Sequence, residues 1–235
     1  MIIVILIVMS GEVSISRLFG DTWDKISKNF SILIPFIIAG IVNLISGLPF
    51  SAMRVSMPFS TPQNMPITTF RILFSPVLVI GYLLLSLLGI IIVYILEVIG
   101  YRAFYNYLHT GVLDFSEASS YIFSRIIRII VAGIIAIILI VIVITIPLAY
   151  LMLAGIIVDD LDIIEALNRG GKIIMSNIGT FIVLTIIVII IYAVASIIPF
   201  ISPILTEIVV GYVGMVFILA YTRLTAPAEI TYYGV

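Results

Sequence analysis

Five long stretches without Asp, Glu, Lys, Arg or His constrain this sequence more than any other feature. They are residues 30–50, 72–96, 129–158, 178–200 and 208–222. A helix needs roughly 20 apolar residues to cross a hydrocarbon layer about 30 Å thick, and every stretch except the last has that length. Glu207 alone shortens the last stretch. The chain is therefore predicted to cross a membrane several times.

The low charge content excludes an ordinary soluble domain. Only 10% of the residues are charged, whereas soluble domains have about 25%. The apolar stretches are rich in Ile and Val, which favour strands in water. In lipid only helices and closed barrels satisfy every backbone group, and these stretches lack the alternation of barrel strands. The predicted fold class is all-α, a polytopic transmembrane helical bundle with amphipathic interfacial helices.

The number of spans depends on residues 126–158. They form either one helix kinked at Pro147 or two short spans that turn near Thr145. Lys and Arg accumulate on the cytoplasmic side of membrane proteins. Six spans with an inner N-terminus place nine of these residues inside and two outside, whereas five spans divide them six to five. The inner set is Arg17, Lys25, Lys28, Arg102, Arg125, Arg128, Arg169, Lys172 and Arg223, and the outer set is Arg54 and Arg71.

Six spans are predicted, with five as the alternative. Their approximate bounds are residues 30–50, 72–96, 121–143, 146–160, 178–198 and 203–222. Both termini are expected in the cytoplasm of a cell whose plasma membrane holds the protein.

Polar segments between the spans predict surface structure. Residues 13–29 separate apolar and charged side chains by helical period, which predicts an amphipathic helix in the membrane interface. Three prolines within residues 51–71 predict a loop. The apolar residues 1–9 are too short for a span. We expect either that Met9 is the native start or that these residues form a short flap on the bilayer.

Residues 158–181 contain a recognisable signature. An acidic stretch is followed by Ala-Leu, a basic residue and an Asn before the fifth span. This segment resembles the signature of a broad prokaryotic family of uncharacterised six-span proteins, which includes the membrane domain of some glycerophosphodiester phosphodiesterases. The matching residues are Asp159, Glu165, Ala166, Leu167, Arg169 and Asn177, and Gly170 stands where Ser is usual. The resemblance implies six spans and cytoplasmic termini, but no activity, because the catalytic domain of those enzymes is separate.

The same residues also resemble a second kind of motif. The stretch from Glu165 to Gly171 is similar to the coupling loop of ABC importer permeases, a short cytoplasmic helix that docks on an ATPase. That family continues with Ile-x-Leu-Pro, whereas this chain has Phe181 followed by Ile-Val-Leu.

Four residues are candidates for a functional site or a partner contact, namely Glu165, Arg169, Asn177 and Glu207. An acid inside a span is a functional hypothesis by default, although Glu207 at this depth is also able to reach the outer interface. We expect Glu97 and Arg102 to form a local surface pair. The acids Asp159, Asp160 and Asp162 are expected to cap the helix that begins near Ile163, with the spacing of a capping box to Glu165.

Nothing in the sequence indicates catalysis. His109 is the sole histidine, and nucleophile, Walker-type and metal motifs are absent. Met53, Met57 and Met65 favour a flexible loop over a soft-metal site. No catalytic, cofactor-binding or metal residue is therefore assigned. A formal charge of −1 gives no reason to expect a nucleic-acid partner.

The sequence favours a non-catalytic accessory or scaffold protein that contacts membrane lipid and a further membrane or cytoplasmic protein. The alternative is a small-solute transporter or an ABC-type permease subunit. A lipid-facing enzyme is a third hypothesis.

Overall fold

Every regular element of the described chain is helical. The computed structural model describes residues 14–56, 76–197 and 202–226, and no strand occurs among them. The predicted all-α membrane class is confirmed. In chain order the helices are α1 (Ile15–Lys28), α2 (Ile34–Ser56), α3 (Pro76–Thr110), α4 (Phe115–Ser124), α5 (Ile126–Val141), α6 (Ile146–Asp159), α7 (Ile163–Ser176), α8 (Ile178–Ala195) and α9 (Ser202–Thr225), with 3₁₀ turns at Phe30–Leu33 and Val143–Thr145.

Four helical segments of the described chain are each long and apolar enough to cross a membrane. They are Phe30–Gly47, Leu78–Thr110, Ile178–Ala195 and Ser202–Thr225. Two further segments meet the same requirement only as bent pairs: α4 with α5, bent by 85°, and Val143–Asp159 with α7, bent by 119°. The described residues thus provide four to six candidate spans, and six spans remain a prediction.

Residues 126–158 form an antiparallel helical hairpin rather than one kinked helix. Helix α5 ends where Ile142 adopts an extended conformation. Thr145 closes the turn by donating a hydrogen bond from Oγ1 to the Ile142 carbonyl at 2.7 Å. Pro147 lies in the first turn of α6, where a missing N–H removes no helical hydrogen bond. At the far end, Arg125 contacts Asp160, so the helices run in opposite directions.

Helix α9 lies at the centre of the bundle and packs against α1, α2, α3, α6 and α8. Residues 213–221 of α9 and residues 149–157 of α6 are all buried. In contrast, α5 and α8 carry rows of exposed isoleucines, including Ile134, Ile138, Ile186 and Ile190. Exposed aliphatic rows on long apolar helices suit contact with lipid chains.

The predicted amphipathic segment forms helix α1, which packs on the bundle. Its apolar stripe of Ile15, Leu18 and Ile26 is buried. Tyr212 of α9 donates a hydrogen bond to the Phe19 carbonyl at 2.8 Å. The stripe therefore faces protein, whereas Trp23 is 56% exposed and suits the depth of lipid headgroups.

Two predicted boundaries are wrong. The predicted loop began at Ser51, but α2 continues to Ser56. The second span was expected to end at Leu96, but α3 continues to Thr110, one residue before Gly111, which has a positive φ of 70°. The expectations for residues 1–9, and for most of the proline-rich segment with Met57 and Met65, fall outside the described residues.

The orientation of the hairpin is testable because the chain contains no cysteine. In the six-span topology, Ile144→Cys at the hairpin turn reacts with a membrane-impermeant maleimide added outside intact cells. Lys172→Cys on α7 reacts only after the cells are opened. The cysteine-free parent is the control for background labelling. Labelling of both positions from the same side would contradict six spans.

Candidate functional site

Two glutamates that are distant in sequence meet between the long helices. Glu97 of α3 lies close to the Glu207 carboxyl on α9. Glu207 is only 5% exposed. Asn43 of α2 donates a hydrogen bond from Nδ2 to Glu207 Oε1 at 2.7 Å. We call Glu97 and Glu207 the carboxyl pair, and Asn43 is its amide partner.

The carboxyl pair has no counter-charge among the described residues. None of the ion pairs there includes Glu97 or Glu207. Arg102, the nearest cation along α3, donates to the Ile157 carbonyl at 2.7 Å and pairs with Glu117 at 3.2 Å. Glu207 Oε2 is buried without a hydrogen-bond donor. The two acids thus lie together in the bundle without a cation among the described residues.

Glycines allow the helices of the site to approach closely. A Cβ atom at Gly211 would lie 2.4 Å from the Phe36 ring, and one at Gly214 would lie 2.2 Å from the Tyr101 ring. A Cβ atom at Gly40 would lie 2.6 Å from a backbone atom of Ile204. Helices α2, α3 and α9 therefore interlock through these positions, and the interlocking brings three polar side chains together.

Tyrosine hydroxyls surround the site. Tyr101 donates a hydrogen bond to the Val210 carbonyl at 3.2 Å. The hydroxyl oxygens of Tyr150 on α6 and Tyr192 on α8 are 2.9 Å apart. Both of these tyrosines are close enough to interact electrostatically with the carboxyl pair. The hydroxyl pair joins α6 to α8 at this polar region.

The sequence prediction for Glu97 is wrong, whereas a functional role for Glu207 stays a prediction. The expected surface pair of Glu97 with Arg102 does not form, because α3 stays helical through both residues. Five residues on a helix are separated by about 140° around its axis. The two side chains consequently face different neighbours. Glu207 contacts Asn43 and Glu97 inside the bundle instead of reaching the outer interface.

The acids after α6 form ion pairs rather than helix caps. Asp160 receives hydrogen bonds at 2.6 Å from both Nε and Nη2 of Arg125, and one at 2.9 Å from Arg128 Nη1. The Arg125 guanidinium lowers the pKa of the Asp160 carboxyl to about 2. Asp162 occupies the N-cap position of α7 but makes no capping hydrogen bond. The predicted capping role is therefore wrong.

Three residues of the sequence signature have structural roles within the chain. Arg169 pairs with Asp159 at 2.9 Å, and Tyr221 donates a hydrogen bond to the same carboxylate at 2.7 Å. Asn177 donates to the Ile173 carbonyl at 3.1 Å and so closes the end of α7. Glu165 is exposed. The structure does not bring these residues together with Glu207.

No protein-family model matches the chain, and comparison with curated proteins and with solved structures also found no match. The resemblances to the six-span family and to permease coupling loops therefore stay predictions.

The ion pairs of Asp160 predict a specific pH dependence of stability. Asp160→Asn removes the charge but keeps a residue that tolerates the left-handed conformation at this position, where φ is 54°. We expect the apparent unfolding free energy to fall by about 1 kcal/mol at neutral pH, a value discounted for partial exposure. The Asp160 pKa is lowered on folding, so the stabilisation is present above its unfolded value of 3.8 and is lost as the pH falls towards about 2.

The measurement is thermal unfolding of both proteins in detergent between pH 7 and pH 2. The matched control is Asp162→Asn, since the Asp162 side chain is 84% exposed and lies 3.9 Å from Arg128. Equal melting temperatures for the two variants at pH 7 would contradict the assigned role of Asp160.

Proposed function

We propose that this chain is a membrane transport protein in which the carboxyl pair binds and releases a proton as a solute moves. The proposal rests on one observation. Glu97 lies beside the buried Glu207, and no ion pair of the described residues includes either acid. Intramembrane acids are costly and typically mark proton relays or ion pathways. Transport is the alternative function that the sequence suggests, and the buried carboxyl pair favours it over the scaffold role.

Electrostatics makes the pair suitable for one exchangeable proton. Two unit charges 4 Å apart repel by about 4 kcal/mol even at an effective dielectric constant of 20. Loss of a proton from a singly protonated pair is therefore opposed, and gain of a proton by a doubly ionised pair is favoured. A change in water access or in a neighbouring dipole then shifts the fraction of carboxyl pairs that hold the proton. Such coupling is the property that a proton-driven transporter needs.

A purely structural contact does not require two acids. Amide and hydroxyl groups join membrane helices through hydrogen bonds without a titratable proton. In this chain Asn43 already supplies an amide at the same point. Glu207 Oε2 still has no donor, and a proton on Glu97 would provide one. The second carboxyl thus adds a proton-binding group.

Orientation forms part of the proposal. Contacts such as Arg125 with Asp160 and Arg223 with Asp21 gather at one end of the bundle. The excess of Lys and Arg in segments at this end supports a cytoplasmic position for it. The carboxyl pair then lies within the plasma membrane, between helices that cross from one side to the other.

Replacement of either acid by glutamine tests the proposal. Gln keeps the size and hydrogen-bonding capacity of Glu but cannot release a proton. We expect Glu97→Gln and Glu207→Gln each to remove the pH-dependent carboxyl band from the infrared spectrum of the purified protein. In proteoliposomes with an internal pH dye, we expect both variants to slow proton movement at least tenfold when amino acids, sugars and inorganic cations are supplied in turn.

The control is Asp24→Asn on α1, where the carboxylate is half exposed and pairs with Lys28 one turn away. This variant should retain the infrared band of the carboxyl pair and the proton movement of the wild type. Unchanged proton movement in Glu207→Gln would contradict the proposal. So would a wild-type protein that moves no proton with any of the solutes.

A scaffold or accessory role is the second candidate, and the exposed face of α7 favours it. Ile164 and Met175 are 75% and 78% exposed, and Glu165 lies beside Ile164. If a partner docks here, Glu165→Lys should release a protein that co-purifies with the wild type, whereas Asp24→Lys should retain it. An ATPase, which the permease resemblance implies, is one outcome. Retention of the same proteins by both variants would contradict this role.

A further inference from the structure

An open groove lies between α5 and the start of α7. Its volume is about 640 Å³. The residues that line it are Arg128 and Ile135 of α5, together with Asp162, Ile163, Ile164, Glu165 and Asn168. Ile135 lies two helical turns from Arg128, roughly 10 Å along the α5 axis. The groove thus has an apolar part and a charged part.

The position of the groove places an occupant across the membrane boundary. On α5, Ile134 and Ile138 flank the apolar part and are exposed, at 56% and 60%. Exposed isoleucines of a membrane helix face hydrocarbon, whereas Asp162 and Glu165 belong at the aqueous side. A molecule in the groove therefore needs an acyl chain at one end and a polar group at the other. A phospholipid has this construction.

The charges of the groove identify the kind of headgroup. Arg128 donates hydrogen bonds from Nη1 to Asp160 and to the Leu161 carbonyl, and its Nε lies 3.9 Å from Asp162 Oδ1. Its Nη2 remains suited to a phosphate. Asp162 and Glu165 are exposed beside them and suit an ammonium group. A zwitterionic headgroup therefore complements the groove, because its phosphate suits the one cation and its ammonium group suits the two acids.

Other common headgroups fit less well. An anionic headgroup would meet the repulsion of both acids, with only Arg128 to offset it. A choline headgroup carries a positive charge but has no N–H to donate to a carboxylate. An ethanolamine headgroup has three N–H donors next to its phosphate.

We propose that this groove is a binding site for phosphatidylethanolamine. The phosphate binds Arg128, the ammonium group donates to Glu165 and Asp162, and an acyl chain lies along Ile135. The bound lipid would anchor the start of α7 to the membrane surface. This proposal does not depend on transport by the carboxyl pair.

Native mass spectrometry of the delipidated wild-type protein tests the site. The protein is titrated in separate experiments with palmitoyl-oleoyl lipids that carry ethanolamine, choline or glycerol headgroups. We expect at least fivefold stronger retention of the ethanolamine lipid. Glu165→Gln and Arg128→Gln should each reduce its retention to the level of the choline lipid.

The variants differ in what they disturb. Arg128 also contacts Asp160, so Arg128→Gln perturbs the hairpin, whereas Glu165 is an exposed residue whose replacement by Gln leaves the packing in place. Asp24→Asn and Arg17→Gln on α1 are the matched charge controls and should retain the wild-type preference. Equal or stronger retention of the phosphatidylglycerol, equal retention of all three lipids, or an unchanged ethanolamine preference in Glu165→Gln would overturn the proposal.

Discussion

Hydrocarbon supplies no hydrogen-bond partners, so a chain that crosses it must satisfy its polar groups internally. The helices do this for the backbone, and the tyrosines follow the same constraint. Tyr94, Tyr101 and Tyr212 each donate their hydroxyl to a backbone carbonyl of another helix, at 3.0, 3.2 and 2.8 Å. These hydrogen bonds join pairs of helices and help to fix the orientation of one helix against the other, which apolar packing alone defines poorly. Among the described residues, Oε2 of Glu207 departs from this rule, as do Oγ1 of Thr22 and Nε of Arg102. Of these three groups, only Glu207 is an acid.

Arg102 and Arg125 are held by carbonyl, carboxylate and aromatic partners, unlike the carboxyl pair. Arg102 is held in a compact setting, with its guanidinium carbon 3.9 Å from the centre of the Tyr121 ring and Nη1 on the Ile157 carbonyl. Arg125 also lies over Tyr121, at 4.1 Å, and pairs with Asp160. These contacts fix the open end of the α5–α6 hairpin to α3 and α4. Arg102 and Arg125 are thus engaged at the charged end, and no ion pair of the described residues includes the carboxyl pair.

The sequence predicts what depends on local pattern and misses what depends on tertiary pairing. Long uncharged stretches predict the helices, and the placement of Lys and Arg favours the hairpin that the structure contains. Glu207 attracts attention because it interrupts an apolar stretch. Glu97 does not, since it ends such a stretch and has Arg102 nearby. Asn43 gives no signal, because a single uncharged amide within a span is common, and its contact with Glu207 joins residues far apart in the chain.

Helix packing differs between α2, α3 and α9, which hold the carboxyl pair and Asn43, and the neighbouring helices α6 and α8. Helices α2, α3 and α9 interlock at Gly40, Gly211 and Gly214, where even a methyl group would collide with a neighbour. Interiors packed this closely shift between discrete arrangements rather than deform smoothly. Helix α8, in contrast, exposes most of its apolar surface and meets α6 through the hydroxyls of Tyr150 and Tyr192. The α6–α8 contact therefore includes a hydrogen bond between two hydroxyl groups, whereas glycines set the close approach of α2, α3 and α9.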